Sequence, residues 1–294
     1  MPPQELLLIV FCTIDDEVKA LNWPRLRSRG PAPALADSEV IAIEIVGELW
    51  GLADDRAIFE HFRRYHLAEF PALARITRTR FARQAADLCW LARRVQRALA
   101  GRLTRPGAVW LVDSFPLPVC RFARSGICRR FKGQAGFGHD PVAGKVFYGF
   151  RLHLRTGLDG VILGYELAPG PAHELALACE LAPSPVGTAL GDRNYWSPDT
   201  RAAFQAAGGD LVAPFKQAKH DPTPDRTEAL MAMRRRIETT IGQLVDRFDC
   251  RRIKVRDLWH LEHRLVRKIL GHTLGAWLNR LAGEEPLRLE RLVA

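Results

Sequence analysis

Between Val146 and Leu167 the chain repeats with a period of two on both sides of an Asp-Gly turn. That pattern dictates an antiparallel hairpin. Phe150, Leu152 and Leu154 point one way, and Arg151, His153 and Arg155 point the other. Asp159-Gly160 supplies the reversal, because a tight hairpin turn needs positive φ and glycine adopts it without steric cost. Val161, Leu163, Tyr165 and Leu167 then form the apolar face of the returning strand. A further apolar run, AVWLVDS, comes before the hairpin and reads as a short strand ending at Asp113.

Arg105-Pro106-Gly107 separates this strand-rich part from a helical first third. Within residues 1–105, a helix through VIAIEIVGELWG is capped by Asp37 or Ser38 and ended by Gly51. A second helix is predicted over Asp54–Tyr65 and a third over Thr79–Ala100, with Pro71 between them. After the hairpin, Ala172–Leu181 reads as a helix and TALGD as a strand ending at Asp192. Ser197-Pro198 opens a helix closed by Gly208-Gly209, and DLVAPF is a strand. One long helix follows from Thr227 to Phe248, with Leu230, Ile237, Ile241, Leu244 and Phe248 as its packed stripe. Three strands followed by alternating helices and strands predict an α/β domain, a mixed sheet flanked by helices, over residues 106–294.

The net charge of +10 predicts a polyanionic partner. Eleven arginines face two acids between Arg63 and Arg105, and five basic residues face none between Arg121 and Lys132. Arginine forks suit bidentate phosphate contact. Eight basic residues face three acids between Arg247 and Lys268. Each cluster alone is equally well a solvated helix face; three together favour nucleic acid. The candidate DNA contacts are Arg75, Arg78, Arg80 and Arg83 at the start of the third helix, in a helix-turn-helix-like reader. They continue with Arg121, Arg124, Arg129, Arg130 and Lys132 in a basic insertion over about 119–145, then Arg234, and then Arg251, Arg252 and Lys254 leading into basic C-terminal helices. No membrane partner is expected, because the longest apolar runs fall far short of the roughly 20 residues that span a bilayer. Six scattered cysteines and the lack of a signal peptide point to a reducing cytoplasm, beside the nucleoid. Glycine-rich nucleotide fingerprints are missing, so no nucleotide cofactor is expected.

Asp113 and Asp192 share a context: each terminates an apolar strand, where open α/β sheets face their ligand crevice. Carboxylates there can bind hard cations such as Mg²⁺, although an aspartate after a strand is often only a turn residue. Glu238 lies at the edge of the long helix's apolar stripe, and spacing alone leaves it divided between that site and a surface ion pair with Arg234 or Arg235.

DSFPLPVCRF, KVFYGFRLHL with TGLDGVILGYELAPG, LGDRNYWS and RRRIETTIGQLVDRF, in that order, resemble the catalytic domain of DDE-type insertion-sequence transposases. The likeness covers nearly the whole chain and is similar to the bacterial insertion-sequence family nine-eighty-two. It implies a ribonuclease-H-like fold behind an N-terminal helical DNA-binding domain. It also implies Asp113, Asp192 and Glu238 as catalytic, metal-binding acids for two divalent cations, Mg²⁺ or Mn²⁺. The implied reaction is cleavage at insertion-sequence ends followed by strand transfer. The partners are terminal inverted repeats and target duplex, met by a homodimer or higher oligomer in a synaptic complex. Met231 and Val245 stand where related transposases carry a tyrosine and a lysine around the third acid, while Arg234 matches. Asn194 replaces a glycine of the second motif and tolerates the left-handed backbone such a turn requires.

Tyr195 and Arg234 are accessory candidates, Tyr195 with Trp196 either for base stacking or for core packing, and Arg234 for contacting phosphate or orienting Glu238. His153 reads as a satisfied structural histidine rather than a DNA contact, and His173 as a neighbour of a helix cap. Cys120, Cys128 and His139 do not follow zinc-ligand spacing. Two rivals stay open: a nuclease or resolvase that cuts without joining, and a catalytically inactive DNA-binding repressor or decayed copy.

Overall fold

The computed structural model describes every residue except 25–29, 53, 105, 106, 108, 142, 173, 183–186, 216, 218, 220 and 292–294, and no side chain of 174–176. Arg105, Pro106 and His173, singled out above, therefore lie outside the described residues. The chain forms two compact units: Met1–Leu99 with Asp257–Ala294, and Ala100–Arg256. The basic C-terminal segment thus packs with the N-terminal helices, whereas the sequence pattern had placed it with the sheet.

The first unit contains α1 (Pro3–Leu21), α2 (Asp37–Leu49), α3 (Asp55–Tyr65), α4 (Arg78–Asp87), most of α5 (Cys89–Leu103) and α10 (Leu258–Leu281). Apolar on nearly every side, α2 is buried from Val40 to Leu49. Its N-cap is Ala36 rather than Asp37 or Ser38: Glu39 reaches back to the Ala36 N–H at 2.6 Å, and Ser38 Oγ donates to Asp15 Oδ1 of α1 at 2.8 Å. Asp54 caps α3 by accepting from the N–H groups of Arg56 and Ala57. The expected third helix is two, broken at Leu88. Residues 66–77 intervene between α3 and α4, in place of the three-to-four-residue turn of a helix-turn-helix.

Two acidic side chains of the buried α2 need partners, and α10 supplies them. Arg267, 1% exposed, meets Glu48 Oε2 and Asp55 Oδ1 at 2.7 Å and Glu44 Oε1 at 3.2 Å. Lys268 pairs with Glu48, His263 Nε2 lies 2.9 Å from Glu44, and Arg264 pairs with Asp55. Burial alone pushes the Glu44 carboxyl up, but His263 and Arg267 hold it below the usual carboxylate range. No described helix is long and apolar enough to cross a membrane.

The second unit holds β1 (Val109–Pro118), β2 (Gly136–Asp140), β3 (Lys145–Thr156), β4 (Ile162–Pro169), α6 (Glu174–Leu181), β5 (Thr188–Leu190), α7 (Pro198–Ala206), β6 (Asp210–Val212), α8 (Pro224–Met233) and α9 (Arg235–Asp246). The sheet runs β2-β3-β1-β5-β6, and β4 also pairs with β3. Pairings of β3 are antiparallel, while β1 with β5 and β5 with β6 pair in parallel, so the sheet is mixed and flanked by helices. The predicted β3–β4 hairpin forms around Gly160, whose φ of 81° is the left-handed turn position. Tyr165 and Leu167 face Leu154 and Leu152 as expected, but a bulge at Arg155/Thr156 takes Leu163 out of the alternation. The polar face of β3 is not solvated either: Arg151 and His153 are buried. β2 falls within the stretch expected to be an irregular basic insertion; its glycines conceal the period of two.

Alternation along β1 gives the sheet two working faces. Trp110 and Val112 join a core with Ala178 and Leu181 of α6 and Phe204 of α7. Leu111 and Asp113 point the opposite way, where α9 packs on β1 through its buried Ile237 and Leu244. The expected single helix over 227–248 is broken at Arg234. Two i→i+3 hydrogen bonds, Arg234 N to Met231 O and Ile237 N to Arg234 O, both 3.1 Å, replace the regular ladder there.

Candidate active site

Strand register brings the two aspartates together. β1 and β5 are parallel partners only as far as Leu111 opposite Leu190. Asp113 and Asp192 each follow that last pair by two residues, and the charge of Asp192 acts on Asp113. Asp113 does not end its strand as expected: β1 continues to Pro118, held there by β3 alone, with Asp113 opposite Leu154. It stands where β5 has stopped and the sheet opens. After β5 the chain turns through Gly191, where a Cβ would lie 2.7 Å from the Tyr195 side chain, so only glycine allows so close a turn. Asp192 then caps a short 3₁₀ turn, accepting from Asn194 N at 2.9 Å and Asn194 Nδ2 at 3.2 Å. Asn194 is not among the residues with positive φ, so this turn never needed the left-handed tolerance expected of it.

The Asp113 side chain is 15% exposed, accepts the Ser114 N–H at Oδ1 (2.8 Å) and pairs through Oδ2 with Arg234 Nη2. Burial pushes its carboxyl up to about 6; Arg234 and the Ser114 N–H pull the other way, and the charge of Asp192 adds to the rise. Arg234 Nη1 donates to Glu238 Oε1 at 2.9 Å, so a single guanidinium bridges the first and third acids. Glu238 itself is 56% exposed on the first turn of α9. Of the readings that spacing left open for Glu238, the structure forms the ion pair with Arg234, whose other terminal nitrogen reaches Asp113.

Three carboxylates are a donor set of hard oxygens, the kind that Mg²⁺ and Mn²⁺ select. Among the described residues, however, no group of three or more His, Cys, Asp or Glu is close enough to hold a metal ion as it stands. Glu238 is tied to Asp113 by the arginine rather than by direct approach. The same finding covers Cys120, Cys128 and His139.

Tyr195 is fully buried in the α6–α7 core, which closes off base stacking in this conformation. Trp196 packs beside Phe215, ring centres 5.3 Å apart. His153 is also fully buried, on the face opposite Asp113, and neither ring nitrogen has a hydrogen-bond partner among the described residues. It is structural, as expected, but not satisfied, and burial next to Arg151 drives its pKa down to about 4. The arginines at 75, 78, 80, 83, 121, 124 and 129, together with Lys132, are exposed. Arg130 reaches Val255 O at 3.4 Å, Arg251 approaches Asp140 at 3.8 Å, and Arg252 and Lys254 are exposed. An open cleft of about 1020 Å³ that the sequence did not reveal starts beside Asp192, lined by Arg193, Trp196, Phe137, His139 and Arg151.

The sheet unit thus carries one aspartate within β1, a second just after β5, and a glutamate on α9 linked to the first through Arg234. A model of the family described as the transposase DDE domain matches residues 103–257, just over half the chain and nearly all of the sheet unit. The chain belongs to that family. No curated protein and no solved structure shows significant similarity to it.

Proposed function

We propose that the chain is a DNA transposase of the insertion-sequence type, akin to family nine-eighty-two, built on a ribonuclease-H-like sheet. It cuts DNA at the ends of its element and joins the freed ends to target DNA. The observation that carries this reading is the register of β1 and β5, which sets Asp113 and Asp192 at matching positions just beyond their last shared pair. Asp113, Asp192 and Glu238 would hold two Mg²⁺ or Mn²⁺ ions. When bound, such a pair activates the attacking oxygen and stabilises the leaving one in an in-line displacement.

The chain's own groups prepare that chemistry. Hydrogen bonds from Ser114 N and Asn194 fix the aspartate carboxylates before any ligand arrives. Only 15% of the Asp113 side chain is exposed, and Arg234 offers a guanidinium beside the place a scissile phosphate would take. The exposed cations of residues 121–132 and of α4 supply the sequence-independent attraction to inverted repeats and target duplex, and the N-terminal helices serve as the DNA-binding part. The resemblance adds assembly as a dimer or larger synaptic complex.

End cleavage by Asp113→Asn tests the reading, since the amide cannot supply an anionic ligand. Cleavage at the wild-type rate would remove Asp113 from the site. Transfer of the cut 3′ ends into a second duplex separates a transposase from a nuclease that only cuts.

A further inference from the structure

Arg234 occupies the position around which the acids are gathered. Its two terminal nitrogens reach Asp113 and Glu238, its side chain is only 17% exposed, and its Nε is buried without a partner among the described residues. It also marks the break between two unequal helices. α9 is anchored by Ile237, Thr240 and Leu244, with Thr240 Oγ1 donating to Gly160 O at 2.8 Å, whereas α8 contains no buried residue. α8 is thus held less firmly than α9, with Thr227, Leu230 and Met231 only half-buried and Arg226 3.7 Å from Asp210 of β6.

We propose that Arg234 is a built-in counter-ion of the metal-free site, competing with divalent cations for the Asp113 and Glu238 carboxylates and released when they bind. The inference rests on the reading of Asp113, Asp192 and Glu238 as metal ligands. A guanidinium has five donors and no acceptor, and its single charge offsets one of three carboxylates. It holds the acids together when no cation is present and keeps Glu238 from closing on Asp113 directly. A dication requires the same oxygens, Asp113 Oδ2 and Glu238 Oε1, and repels the guanidinium that occupies them. Cation entry then swings Arg234 out at the break between α8 and α9, with Nε and both Nη groups free to donate to a phosphate. The ligand site and the phosphate donor are thereby loaded in one movement.

The test is Mn²⁺ binding to the full chain without DNA, followed by electron paramagnetic resonance, for the wild type, Arg234→Gln, Arg234→Ala and Asp113→Asn. Arg234→Gln is expected to bind Mn²⁺ about tenfold more tightly than the wild type, equivalent to about 1.4 kcal/mol of released competition. Methylguanidinium added to Arg234→Ala should weaken binding back towards the wild-type value. That arm works only on a folded site, so it separates lost competition from misfolding. Equal or weaker binding by Arg234→Gln, with no response to methylguanidinium, overturns the inference while Asp113-dependent binding upholds the metal reading. Wild-type binding that Asp113→Asn leaves intact overturns both.

Discussion

The protein holds two clusters of three carboxylates, and they are balanced in opposite ways. In the helical unit, Glu44, Glu48 and Asp55 face His263, Arg264, Arg267 and Lys268, and every acid has a cationic partner. In the sheet unit, one arginine, Arg234, pairs with Asp113 and Glu238, and Asp192 is met only by the neutral Asn194 among the contacts of the described residues. Glu44 is buried yet held below the usual carboxylate range, whereas Asp113 is pushed up to about 6. Charge matched within the chain fastens α2 to α10. On the proposed function, the surplus negative charge of the sheet cluster is what draws cations from outside. Burial of acids alone therefore does not single out a candidate site; a deficit of cationic partners does.

The largest expected effect breaks the second cluster. Asp113→Asn and Asp192→Asn should each lower end cleavage by on the order of 10³-fold, because several kcal/mol of transition-state charge stabilisation depend on anionic ligands. Asparagine can still cap the turn at 192, so circular dichroism should show the fold retained. Loss of the fold in both variants would make the acids structural and erase the contrast.

The next effect breaks the first cluster. Arg267→Met leaves buried acids without their central cation and should cost about 3–5 kcal/mol of stability in urea denaturation. A loss below about 1 kcal/mol would show that Lys268 and His263 suffice, and that the cluster is no tighter than a surface pair.

The sequence carried the sheet unit further than it carried either cluster. The β3–β4 hairpin was legible because period-two patterning and Asp159-Gly160 are local signals. Asp192 was legible as an acid just past a strand, whereas Asp113, expected at a strand end, lies within β1, because the continuation to Pro118 rests on pairing with β3 that no local pattern records. The helix break at Arg234 was hidden, since no Gly or Pro marks it and the apolar stripe runs through it. β2 was hidden by its glycines. The α2–α10 network joins residues more than 200 positions apart, and the basic look of Arg264, Arg267 and Lys268 suggested DNA instead. Glu44 and Glu48 within an apolar helix were the available clue, because buried acids require partners.

A smaller effect concerns His153, a buried group outside both clusters. Its folded pKa of about 4 lies below its ordinary 6.5, so the unfolded chain binds the extra proton between those values. The contribution is fully present above pH 6.5 and is lost as pH falls towards 4, by about 3 kcal/mol in total. His153→Leu should flatten that part of the stability profile measured by urea denaturation from pH 7.5 to 4. An unchanged slope would mean the imidazole is not buried neutral.

The smallest stability effect sharpens the comparison most, because the same Glu→Gln change is made in both clusters. Glu238 is 56% exposed and pairs with Arg234 one turn away, a geometry that contributes no more than about 0.5 kcal/mol. Glu238→Gln should therefore leave the urea midpoint almost unmoved while abolishing most end cleavage. Glu48→Gln should do the reverse: it strips the charge that faces buried Arg267 and Lys268, and lowers the midpoint sharply. If both variants lost stability alike, Glu238 would be a fastening residue like Glu48. The sheet cluster would then have no acid to spare for a cation.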